Sequence, residues 1–105
     1  MIGAVWALSC GAPEAKVLIE NQSGAELRDL VLDYEVGQLE YQIFCEGCTH
    51  SGMVDVSTPR PLSIEYVDET GIPQRNALEK KINASMDGKN VIIRIEPDGT
   101  VKEYY

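Results

Sequence analysis

A chain of 105 residues, 44% hydrophobic and 25% charged, holds one folded core and is too apolar for a disordered segment. Its 17 acidic and 9 basic residues leave a net charge of -8. That charge opposes binding to nucleic acid or anionic headgroups, because both depend on Lys and Arg releasing counterions.

Residues 1–9, MIGAVWALS, carry no charged side chain and read as a partial signal peptide, an apolar run ending in small residues. The order Ala7-Leu8-Ser9-Cys10 resembles a bacterial lipobox, with Ala7 where that pattern usually has Leu. The resemblance implies that Cys10 is lipidated and becomes the mature N-terminus, with residues 10–14 as the tether. Gly11 after the cysteine, with no Asp, is what the resemblance associates with export to the outer membrane of a two-membrane cell. The run is too short to cross a bilayer, whereas several acyl chains on one cysteine hold a protein firmly. A start codon placed further upstream would explain why no Lys or Arg precedes it. The other reading is a buried first strand over residues 2–8 with Cys10 as a core thiol.

Residues 15–105 read as a single domain. Ala15 to Glu20 alternates as a strand with Val17 and Ile19 on one face. Asn21-Gln22-Ser23-Gly24 is a turn in which Asn and Gly accept positive φ. Leu27 to Tyr34 follows, with Leu30, Leu32 and Tyr34 on one face and Asp29 and Asp33 on the other. After Gly37, the residues Leu39, Tyr41, Ile43 and Cys45 are expected to share a face. Cys45 to Gly52 reads as a turn region, and Met53 to Ser57 as a short strand. Pro59-Arg60-Pro61 blocks ladder pairing, and Leu62, Ile64 and Tyr66 then alternate.

Asn76 to Ala84 is expected to be an edge strand whose lysines discourage aggregation, and Asp87-Gly88-Lys89-Asn90 a hairpin turn. Val91, Ile93 and Ile95 form one face. Pro97-Asp98-Gly99 turns the chain in a strong hairpin signal, and Val101, Glu103 and Tyr105 run back on one face. About seven short strands at regular spacing predict an all-β fold, a small antiparallel, Ig-like β-sandwich.

The stretches VLIENQSGAELRDLVLDY, SIEYVDETG and NVIIRIEPDGTV together resemble small bacterial envelope lipoproteins in which one β-domain follows a lipobox. The resemblance implies a cell-envelope address, a membrane anchor and a domain facing the periplasm or the cell exterior. It supplies no catalytic residues. The expected role is therefore a non-enzymatic binding or structural module, with an envelope protein as its partner.

IFCEGCTH, residues 43–50, carries the sharpest chemistry. Covalent haem needs His directly after the second cysteine, and Thr49 intervenes. Redox pairs sit at helix N-termini, whereas this pair lies among strand residues with Glu46 between the cysteines. An oxidising compartment and a flexible Gly47 favour a Cys45–Cys48 disulfide across a tight turn. The alternative is a thiol or zinc site using Cys45, Cys48 and His50, with Asp55 as a fourth ligand. Asp33 with Glu35, and Asp68 with Glu69, read as solvated strand ends and turns, and no Ser-His-acid spacing accompanies His50. Asn21-Gln22-Ser23 and Asn83-Ala84-Ser85 match the glycosylation sequon but carry little information.

Overall fold

The alternating runs form eight strands in the computed structural model, which describes residues 13–78 and 81–105. The signal segment 1–9 and Cys10 lie outside the described residues. The strands are β1 (Glu14–Asn21), β2 (Leu27–Asp33), β3 (Gln38–Phe44), β4 (Thr49–Asp55), β5 (Ser63–Val67), β6 (Pro73–Ala77), β7 (Asn90–Ile95) and β8 (Val101–Tyr104). They build two four-stranded sheets, ordered β4-β1-β7-β8 and β3-β2-β5-β6. The described residues form a small β-sandwich of eight strands. Pairing is antiparallel except between β1 and β7, which run parallel with Val17 opposite Val91 and Ile19 opposite Ile93.

The inner faces supply the core. Val17, Ile19, Ile93 and Ile95 from one sheet meet Leu30, Leu32 and Ile64 from the other, all without solvent exposure. Each is the apolar half of an alternating run, so burial follows from the pleat. Strand direction then sorts the connections. β1, β3, β5 and β7 all run toward one end, so residues 22–26, 45–48, 68–72 and 96–100 gather there. Pro13, where the described chain begins, lies at the opposite end beside Val56, whose N–H donates to its carbonyl at 3.1 Å.

Several expectations fail for local reasons. Ile43 is exposed and Phe44 is fully buried, so the face expected to hold Ile43 and Cys45 slips by one residue. The slip occurs in both partners: Leu27 faces Phe44 and Leu30 faces Tyr41, three residues apart on each strand. Asp29, at φ 49°, adopts the left-handed backbone that absorbs it, and the β2–β5 register shifts at the same place. β4 begins at Thr49, inside the expected turn region.

The expected edge strand over 76–84 is corrected too. The edge is β6, opening on Pro73, where a missing N–H is tolerated. Leu78 instead caps the core, and Ile82 bridges to Arg60. Asp87-Gly88-Lys89-Asn90 joins a short 3-10 turn, Ala84–Met86, to β7 and is not a hairpin. Among the residues of the first turn, positive φ belongs to Gly24, at 88°, and not to Asn21.

Candidate functional site

Phe44 ends β3 in one sheet and Thr49 opens β4 in the other, so Cys45-Glu46-Gly47-Cys48 carries the chain across the sandwich. Gly47 takes φ 72°, where a Cβ would be strained. The Cys48 N–H donates to the Cys45 carbonyl at 3.2 Å. The two sulfurs lie at disulfide distance, with Cα atoms 5.3 Å apart.

Asn21 fastens this crossing to the end of β1. It is fully buried, and its Nδ2 donates to the carbonyls of Ala25 (2.8 Å), Phe44 (3.2 Å) and Cys45 (3.1 Å). Its backbone joins in: Gly47 donates to the Asn21 carbonyl at 2.8 Å, and the Asn21 N–H donates to Cys48 O at 3.0 Å. One amide therefore ties the first turn to the end of β3 and to the cysteine turn. With its nitrogen so engaged, Asn21 is a structural residue rather than a sugar acceptor.

His50 belongs to a different neighbourhood. Its ring stacks on Tyr41, with centroids 4.6 Å apart and planes at 12°, and meets the Phe44 edge at 4.5 Å. The Tyr41 hydroxyl donates to Ser51 O at 3.4 Å, and burial pushes its pKa up. Across the same flank, Leu39 packs so close to Gly52 that a Cβ there would come within 2.8 Å. These contacts close the flank where β3 and β4 meet. No group of three or more His, Cys, Asp or Glu among the described residues is placed to hold a metal. The zinc alternative through Cys45, Cys48 and His50, with Asp55, is not assembled.

The carboxylates read as solvated turns have structural partners. The Asp68 side chain accepts from the Thr70 hydroxyl at 2.6 Å, the Thr70 and Ile72 N–H groups at 2.9 and 3.0 Å, and the Gln74 amide at 3.0 Å. Led by the Thr70 hydroxyl, these donors hold the Asp68 carboxyl down at about 2. Asp98 is lowered by Thr100, whose hydroxyl and N–H it accepts. Asp55 and Ser57 repeat the arrangement, as do Asn83 with Ser85 and Asn21 with Ser23. Asp33 accepts the Glu35 N–H at 2.8 Å. The sequence signal for these turns was the recurring Asx-x-Ser/Thr triplet, of which the two sequon matches are members.

Between the first, third and fourth turns of this end lies a cleft of about 310 Å³. Tyr66 and Leu27 line it along with Asp68, Glu69, Glu96 and Asp98, and no Lys or Arg does. The opposite flank from β3 and β4 is open. There β6 and β8 are the last strands of their sheets, and a groove of about 370 Å³ runs between them.

No protein-family model matches the chain, and no curated protein matches it by sequence. A solved structure titled "NMR structure of the protein from Eubacterium rectale" is similar over 90% of this chain and 89% of that one. The TM-score is 0.61 and the sequence identity 7%. At that identity the likeness is one of fold.

Proposed function

We propose that this β-sandwich is a non-enzymatic binding module of the cell envelope, tethered by lipid on Cys10, that meets a protein partner at its turn end. The observation that carries the reading is the direction of β1. It leaves the N-terminal side at Pro13 and delivers Asn21, eight residues long, to the far end of the sandwich. At roughly 3.3 Å per residue, that separates the two ends by on the order of 25 Å. A tether at the start of the chain therefore points the four turns away from the membrane. Asn21 and the Cys45–Cys48 link pre-organise that surface, which lowers the ordering cost of binding. The oxidised state of the pair suits an exported location.

The test places a photo-crosslinking residue at Thr70, on the turn end, or at Ser57, on the tether end, in the chain expressed from its own locus. The expected result is a discrete protein adduct from Thr70 and none from Ser57, with Cys10→Ser releasing the chain from membranes. Equal adducts from both sites would overturn the surface, and a membrane-free chain with an unmodified Cys10 would overturn the tether.

A further inference from the structure

The proposed binding role leaves open what the partner offers, and the open flank restricts it. Sandwiches guard their outer strands because unpaired backbone groups there accept another chain. β3 and β4 are also end strands, and the contacts between them, Tyr41 on His50 and Leu39 on Gly52, fill the gap between the sheets with side chains. On the other flank, no strand among the described residues pairs with the outer side of β6.

Ladder parity identifies the exposed rungs. The Asp68 N–H donates to Ile72 O at 3.1 Å, and Leu78 N–H donates to Leu62 O at 2.9 Å. With Tyr66 opposite Gln74 and Ile64 opposite Asn76, the residues bonded to β5 are 72, 74, 76 and 78. In an antiparallel pair the alternate residues turn their backbone groups outward. Those are Arg75 and Ala77. The Arg75 side chain does not shield them: it is drawn across the outer face to Glu65, at 3.2 Å.

We propose that the outer edge of β6 is a strand-addition site for an extended cationic segment of a protein partner. The segment's backbone pairs with Arg75 and Ala77, and a Lys or Arg side chain enters the cleft at the turn end. Two lines of chemistry choose this occupant. Gln74 lines the cleft and Asn76 lines the groove, so the same strand joins a backbone template to a pocket of carboxylates. A second copy of this chain brings a further -8 charge, which repels it from that pocket. Alternate side chains of an added strand would fall into the groove beside Val101 and Leu78.

This inference rests on the binding role proposed above, and its test is separable from that of the role. Random short peptides are displayed against the full chain, and the enriched peptides are titrated while amide hydrogen exchange is followed residue by residue. The expected peptides are rich in strand formers with at least one Lys or Arg. They slow exchange at Arg75 and Ala77, and the double variant Glu96→Gln/Asp98→Asn weakens them about tenfold at low salt. Ala77→Pro, which removes an outward N–H, abolishes binding; wild-type amide protection reports the same contact without relying on that variant's fold. Peptides that bind without protecting Arg75 and Ala77 would overturn the edge, as would no enrichment at all. Protection appearing in the chain alone as its concentration rises would assign the edge to a second copy. A Thr70 adduct with unprotected β6 amides would leave the binding role standing and this inference refuted.

Discussion

Asn21 concentrates more of the turn end's stability than any residue with obvious chemistry. Its buried amide is shared by carbonyls of three residues. Asn21→Ala should cost roughly 2 kcal/mol, since it removes a buried donor shared by three carbonyls, two of which keep a second donor in the Ser23 hydroxyl and the Cys48 N–H. In a domain of this size that is a fall in Tm on the order of 10–20 °C. Asn21→Asp, which keeps the acceptor for Ser23 but removes the donors, should fare no better in the same thermal scan. The cysteine link encloses so short a loop that reducing it should cost only about 2 kcal/mol on the loop-entropy account. Urea melts with and without reductant measure this, and a collapse of the fold on reduction would contradict it.

Asp68 gives a prediction in pH. Its carboxyl is held at about 2, below the unfolded value of about 3.9. A lowered value stabilises the folded state fully above the unfolded value, and the contribution fades as pH falls from about 4 toward about 2. The urea midpoint of Asp68→Ala should lie below that of the wild type at neutral pH. The gap should narrow across that acidic window. A gap that stayed constant with pH would show that the ionised carboxylate adds nothing beyond its neutral form.

At the scale of elements, the runs that alternate without interruption were legible and the ones that slip were not. Val17 and Ile19, Ile64 and Tyr66, and Val91, Ile93 and Ile95 each face inward as period two requires. Leu27 and Leu30 break that period, and the sequence offers no Gly to mark the place, because Asp29 takes the left-handed backbone itself. The partner strand slips with it, which moved the buried position from Ile43 to Phe44. The edge strand was misplaced because Leu78 and Ile82, four apart, are buried beyond the end of β6, Ile82 through a single bridge to Arg60. As for the site, the CxxC turn was visible, but the stacking of His50 on Tyr41 and the Phe44 and Cys45 carbonyls that accept from Asn21 depend on how the strands come together. The closed flank can be tested directly. Gly52→Ala should cost on the order of 1 kcal/mol by crowding Leu39. Leu39→Ala should relieve that crowding, so the double-mutant cycle in urea should show coupling well above zero.

Over the whole molecule, sheet order and strand direction convert these local facts into an orientation. Every second strand rises to the same end, so the single amide of Asn21 can fasten two turns far apart in sequence, while the cysteine pair braces one of them from within. On the proposed reading, the tether, the cross-linked crossing and the distal turns make one arrangement, an anchored sandwich offering its turns outward. Salt should weaken partner binding, because the cleft there carries Asp68, Glu69, Glu96 and Asp98. Titrations across ionic strength check that slope. The central claim is that this is an exported, lipid-tethered domain with an oxidised crossing, and intact mass of the chain isolated from its own membranes tests it most directly. The account predicts a mature chain starting at Cys10, carrying acyl groups, lacking both thiol hydrogens of Cys45 and Cys48, and refractory to alkylation until reductant is added. A soluble chain that retains Met1, with all three cysteines free and alkylated at once, would contradict it.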